Sequence, residues 1–266
     1  MGKLSILLVP GSFSLPEFYN QTLEPVTAKG NEIKGLHLPT VGLKAREGRP
    51  GPAPTMYDDA AFIDKAVEEL ADQGKDVIVI GHSYGGVPVS QCGKGLSIKE
   101  RQQQGKSGGL VRLGYVTCLV PPVGGTAVSV LSKAPSENQV EMQTDERGWM
   151  LQSQPDKTAA TILQTIPAEE GTAIVWKFPK HSAVSFINEL TYPGYKHVPV
   201  SYLVCEEDLC IPPFLQREGI KIIEKESGRK VDVTSIKADH CPNWSATQAV
   251  VDWIVDVAEK AQKDTV

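Results

Sequence analysis

Long apolar runs are missing from this sequence. Nothing in it approaches the roughly 18 uninterrupted apolar residues that a membrane-spanning helix requires. Leu4–Val9 is too short for the core of a secretory signal and runs straight into Pro10-Gly11. Met1-Gly2 lacks the Ser or Thr that N-myristoylation needs at the position held by Ile6. Cysteine is sparse and odd in number: Cys92, Cys118, Cys205, Cys210 and Cys241 make five. An odd count in a chain of this size argues for free thiols in a reducing compartment. Blocks of like charge are absent and the formal net charge is -5, so neither nucleic acid nor a membrane is expected as partner. Internal repeats and low-complexity tracts are lacking too. A cytoplasmic protein is expected.

What is present is ordinary globular material: 266 residues, 41% apolar and 22% charged, enough for one large α/β domain with a buried core. Strand-like runs alternate with helical patterns. Strands are predicted at Leu4–Val9, 32–38, 76–80, 110–120, 198–205 and 230–237. Helices are predicted at 18–28, 57–73, Pro213–Ser227 and 246–260. Thr55-x-x-Asp58 and Ser245-x-x-Gln248 read as capping boxes, and the polar stretch 97–109 reads as a surface loop. Such alternation implies a mostly parallel sheet covered on both faces. The stretch 121–197 breaks the rhythm, with helical pieces predicted near 137–150, 155–165 and 183–190. It reads as a cap inserted between two halves of a core, 1–120 and 198–266.

One junction carries chemistry. Val77-Ile78-Val79-Ile80 leads directly into Gly81-His82-Ser83-Tyr84-Gly85-Gly86. A G-x-S-x-G sequence between strand and helix is the pattern of a nucleophile elbow, whose glycines permit a turn sharp enough to expose the serine hydroxyl above the sheet edge. The apex residue sits in a strained backbone region, and side chains at the flanking positions would clash with strand and helix. Serine becomes a nucleophile only when a base takes its proton, and the base needs an acid to fix its tautomer. In folds with this elbow the chain order is serine, acid, histidine. Residues 202–205 end in Glu206-Glu207-Asp208, and residues 231–236 lead to Asp239-His240. Of the five histidines, only His240 lies in a loop between a late strand and the final helix. Ser83 and His240 are therefore read as nucleophile and base, with Asp208, Glu206 and Glu207 competing as the acid. Asp239, adjoining the histidine, reads as a loop brace.

These residues resemble the α/β-hydrolase superfamily, and over most of the chain its branch of plant methylesterases and hydroxynitrile lyases. Val9-Pro10-Gly11-Ser12-Phe13 stands where that branch has its oxyanion loop, and Gly81 to Gly86 matches the elbow with its extra glycine. Asp208 four positions before Pro212 matches the acid loop, favouring Asp208 over both glutamates, and Asp239-His240 matches the histidine loop. The first and last thirds fit, while 121–197 is matched only as a cap. The resemblance implies an α/β-hydrolase fold: a mostly parallel sheet of about six strands, helices on both faces and a small helical cap. It also implies that no cofactor is needed. Ser83 would attack a carbonyl, His240 would serve as base and then acid, and Asp208 would orient His240. The Tyr84 backbone N–H, with that of Ser12 or Phe13, would bind the oxyanion. Two positions depart from the family. Pro10 replaces its histidine before Gly11, and Cys241 stands where hydroxynitrile lyases commonly carry a lysine, which disfavours cyanohydrin cleavage.

The cap carries Met142, Trp149, Met150, Leu151, Trp176, Phe178 and Phe186. Ordinary packing explains any one of them. As a group, Trp149, Met150, Trp176, Phe178 and Phe186 are expected to wall an apolar pocket suited to an ester or lactone of a hydrophobic small molecule. Lys177, Lys180 and His181 read as solvated cap residues, and Lys44, Arg46 and Arg49 as a solvated loop rather than an anion site. Cys205, Cys210, His240 and Cys241 should converge near the sheet edge, but a ligating His240 could not act as base and C-x₄-C is not a typical zinc spacing, so no metal is expected. The function expected is a serine hydrolase working through an acyl-enzyme on Ser83. Two alternatives stay open: C–C bond cleavage or another non-hydrolytic step on a natural product, and a small-ligand receptor that retains the triad.

Overall fold

A computed structural model describes residues 3–264. Its strands are β1 (Leu4–Val9), β2 (Glu32–Gly35), β3 (Asp76–His82), β4 (Gly109–Val116), β5 (Met142–Thr144), β6 (Trp149–Gln152), β7 (His181–Ser182), β8 (Val200–Cys205) and β9 (Asp232–Ile236). Six of them form one sheet in the order β2-β1-β3-β4-β8-β9, every neighbouring pair parallel. The helices are α1 (Asn20–Ala28), α2 (Met56–Ala71), α3 (Gly86–Gln91), α4 (Ile98–Gln103), α5 (Ala127–Leu131), α6 (Pro155–Ile162), α7 (Ala168–Trp176), α8 (Pro213–Ser227), α9 (Pro242–Ser245) and α10 (Thr247–Asp264).

The uninterrupted apolar strands of the sequence follow from burial on both faces of a parallel sheet. Side chains alternate across each strand. Ile6, Leu8, Ile78 and Ile80 meet α1 and α10 through Val26, Val250, Trp253 and Ile254. Leu7, Val9, Val77 and Val79 turn the other way and share a core with Ile63 and Val67 of α2 and Leu215 and Ile223 of α8. The Thr55 hydroxyl and the Asp58 carboxylate close a reciprocal capping box on α2. No described helix is long and apolar enough to cross a membrane.

Several expectations change in three dimensions. The stretch 97–109 is not all loop: Ser97 caps α4 reciprocally with Glu100, and Arg101 is buried, donating to the Gly108 carbonyl and to Asp72. Ser245 forms no capping box with Gln248; its hydroxyl goes to Asp239 at 2.6 Å, and Gln248 bonds Asp252. Within 121–197, the helix expected near 137–150 is a short 3-10 turn followed by the antiparallel hairpin β5–β6, which β7 extends. The piece expected at 183–190 is a single 3-10 turn, Val184–Phe186. Hairpin register depends on cross-strand partners and is invisible to a helical count.

Chain order and spatial order disagree at one place. After β1 the chain moves out to β2, then returns across β1 to β3. The loops after β1 and β3 therefore part in opposite directions, leaving a crevice at the carboxyl ends of the strands, where ligands bind in open α/β sheets.

Candidate active site

Four loops meet at that edge, following β1, β3, β8 and β9. Ser83 begins a 3-10 turn directly after β3 and has φ 53°, in the left-handed region that L-residues rarely adopt. The strain is held by close packing that tolerates only glycine beside it. A Cβ on Gly85 would lie 2.6 Å from the Pro10 carbonyl oxygen, and one on Gly81 would lie 2.9 Å from Gly85 backbone atoms.

The structure brings Ser83, His240 and Asp208 into one chain of hydrogen bonds. Ser83 Oγ lies 2.9 Å from His240 Nε2, and His240 Nδ1 lies 2.8 Å from Asp208 Oδ2. With Nδ1 held by the carboxylate, the Nε2 lone pair faces the serine hydroxyl. Burial alone would depress the His240 pKa, but Asp208 and, after it, Cys210 together outweigh burial and hold the imidazole well above the ordinary histidine value. Burial in turn raises the Asp208 carboxyl, against the opposing pull of His240. Of the three candidate acids, Asp208 is the one that meets His240: it is buried, Glu206 pairs with Arg217 at the surface, and Glu207 does not enter the chain. Asp208 also accepts the Ile211 N–H at 2.8 Å and a Gln216 amide N–H at 3.3 Å. Asp239 braces the histidine loop, accepting from Cys241 N–H, Ser245 and Thr165.

Near the serine stand Tyr84, directly after it in the chain, and Ser12 of the loop after β1, both lining the space above Ser83. The Phe13 backbone is left-handed at φ 59°, and its N–H donates to His181 Nδ1 at 3.4 Å. His181 is thus fully buried rather than solvated, because the segment carrying it folds back over the loop after β1. Its Nε2–H donates to Ser185 at 3.1 Å, and burial holds its pKa down at about 3, so the ring is neutral. Lys180, also read as solvated, pairs with Asp145 at 2.6 Å. Arg49 is not a solvated loop residue either: it donates to the Val41 and Leu38 carbonyls at 2.6 and 3.0 Å.

A second buried network lies beneath the site. The Gly11 N–H donates to the Tyr19 hydroxyl at 3.0 Å, Tyr19 donates to His82 Nδ1 at 2.6 Å, and His82 Nε2–H donates to the His240 carbonyl at 2.8 Å. Burial first, and His240 second, hold the His82 pKa down at about 3, so it too is neutral. Tyr19 thereby supplies support to the loop in which Pro10 stands in place of a histidine. On the other side of the elbow, Asp59 accepts from Thr40 N–H and hydroxyl and from the Tyr84 hydroxyl at 3.0, 2.6 and 3.0 Å, and burial raises its pKa to about 7. None of Tyr19, His82, His181, Gln216 or Asp59 was singled out from sequence for these roles. Their partners are mostly distant in the chain, and only the glycine-flanked position of His82 offered a local signal.

Above Ser83 opens a cavity of about 420 Å³ with a largely apolar lining that includes Phe13, Met150, Ile162, Phe178 and Phe186. Two of the expected wall residues do not reach it. Trp149 is 1% exposed but lies on the opposite face of β6 from Met150, packed on Gly48. Trp176 is 54% exposed at the end of α7, with the Arg46 guanidinium 4.9 Å over its ring. Strand alternation displaces the first and the helix end the second.

A family model described as "Alpha/beta hydrolase family" matches residues 6–253. The chain is 32% identical to "Probable hydrolase R7" of Phoma sp. over 97% of its own length and 99% of that protein. It is 26% identical to "Alpha/beta hydrolase nvfD" of Aspergillus novofumigatus, over 98% of this chain and 99% of that one. Among solved structures, a pyrethroid hydrolase from Sphingobium faniae JZ-2 superposes with a TM-score of 0.70 at 19% identity, covering 96% of this chain and 98% of that one. With a parallel six-stranded sheet, a serine elbow at its carboxyl edge and a family match over nearly its whole length, the chain belongs to the alpha/beta hydrolase family.

Proposed function

We propose that the protein is a serine carboxylic-ester hydrolase acting on an ester or lactone of a hydrophobic small molecule. The observation that carries this reading is the unbroken Ser83–His240–Asp208 chain, at 2.9 and 2.8 Å, opening onto a largely apolar cavity. Ser83 Oγ attacks the substrate carbonyl while His240 Nε2 takes its proton, and Asp208 holds the imidazole tautomer and stabilises the imidazolium. The oxyanion formed is bound by the Tyr84 and Ser12 N–H groups. Phe13 is left out, because its N–H is given to His181. Loss of one such donor costs about 10²–10³ in turnover. The imidazolium protonates the departing alkoxide, leaving an acyl group on Ser83, and water activated by His240 then releases the acid. Residues 121–197 act as a cap whose Met150, Phe178 and Phe186 exclude water and select apolar groups.

The test is labelling with a fluorophosphonate, read by mass spectrometry, alongside turnover of 4-nitrophenyl esters. Stoichiometric labelling on Ser83, with labelling and turnover both lost in Ser83→Ala, is expected. Turnover that survives in Ser83→Ala would refute the acyl-enzyme and leave His240 as a base acting alone.

A further inference from the structure

Of the polar side chains that line the cavity, which include Ser132, Asn138 and Gln139, one is both deeply buried and unpartnered. Strand alternation on β6 directs Met150 and Gln152 into the cavity and Trp149 away from it. Gln152 is 2% exposed, and its Oε1 has no hydrogen-bond partner. Of the side chains with buried, unpartnered polar atoms, Gln152 is the one that lines this cavity. Thr158 also lines it but commits its hydroxyl to the Gln154 carbonyl at 2.9 Å. The backbone under Gln152 is fixed, since its carbonyl accepts from Arg46 Nη2 at 3.3 Å and its strand pairs with β5 at Met142.

A buried amide left unpaired is unfavourable, and a polar group placed to bond a substrate discriminates strongly against analogues lacking the matching atom. No Lys, Arg, Asp or Glu is among the residues lining the cavity, so away from His240 a charged substrate group finds no counter-ion there. We propose that Gln152 is a specificity-determining residue that hydrogen-bonds an uncharged oxygen function, a ketone or hydroxyl, carried on the apolar part of the substrate away from the scissile carbonyl. The amide serves either one, donating through Nε2 to a ketone or accepting through Oε1 from a hydroxyl. The proposal rests on the ester-hydrolase reading for its reaction and on Gln152 for its selectivity.

The experiment compares 4-nitrophenyl octanoate with two series in which a ketone or a hydroxyl is moved along the acyl chain. The wild type should prefer one position in one series over the parent ester by about 10- to 100-fold in kcat/KM. The near-isosteric Gln152→Met should bring that ratio close to one, the loss falling on the oxygenated ester. Melting temperatures of both proteins report whether the variant folds. No positional preference in the wild type, or a preference that survives Gln152→Met, would overturn the proposal. If no ester is turned over and Ser83 resists the fluorophosphonate, the hydrolase reading fails instead. Stabilisation of the wild type by the matching 2-alkanones and alkanols, relative to Gln152→Met, then decides the Gln152 assignment separately. Equal stabilisation of the two proteins, or none, would overturn it.

Discussion

Lowering the pH from 7 to 5 should destabilise the fold through two histidines that cannot be charged where they sit. His82 and His181 have pKa values held at about 3 against an ordinary 6.5. A histidine whose folded pKa is depressed contributes stability that is present above the unfolded value and lost as pH falls below it. At pH 5 the unfolded chain holds nearly one proton on each imidazole and the folded chain none. At about 1.4 kcal/mol per pH step, each histidine removes about 2 kcal/mol between pH 7 and 5. Asp59 works in the opposite sense. Its folded pKa of about 7 lies above the ordinary 3.8, so its contribution grows on acidification, by about 2 kcal/mol over the same range. Urea unfolding at the two pH values, for wild type, His82→Gln and Asp59→Asn, isolates each contribution. The decline on acidification should be about 2 kcal/mol smaller in His82→Gln and about 2 kcal/mol larger in Asp59→Asn. Glutamine and asparagine keep a donor and an acceptor in place but do not titrate, so each comparison removes one group from the pH dependence. A decline in His82→Gln as steep as in wild type would refute the reasoning, since it would mean that His82 is protonated in the fold.

Ester turnover should depend on pH through His240, which must be neutral to accept the serine proton. Because Asp208 raises its pKa, kcat/KM should rise with pH through an apparent pKa above 6.5. An acid limb below that value in the pH–rate profile would count against the assignment. Tyr19→Phe leaves the Gly11 N–H and His82 Nδ1 unpaired in the interior. It should lower stability by about 1–3 kcal/mol and reduce kcat more than it raises KM, as steady-state kinetics and calorimetry will show. Trp176→Ala, at an exposed helix end, should leave acyl-chain preference unchanged, whereas Met150→Ala should shift it toward bulkier acyl groups. The same chain-length series on both variants checks the cavity wall.

Much of this protein was legible locally. The unbroken apolar runs marked the parallel strands, because a strand buried on both faces needs no polar alternation. The capping box at Thr55 marked the start of α2. The glycines around Ser83 marked the elbow, because only the absence of Cβ lets strand and helix approach so closely. The order of Ser83, Asp208 and His240 after strands of one sheet was readable because parallel topology delivers all those strand ends to one edge. Tertiary structure alone decided the rest. It placed Asp208 rather than Glu206 or Glu207 on His240, directed the Phe13 N–H to His181, and turned Trp149 out of the cavity while turning Gln152 in. It also replaced a predicted helix by the hairpin β5–β6. These outcomes depend on pairing between segments, most of them far apart in the chain, where a one-residue change of register or a few degrees at a loop redirects a side chain. Periodicity and local motifs record what a segment does to its own backbone, and they carry no information about which distant group it will meet.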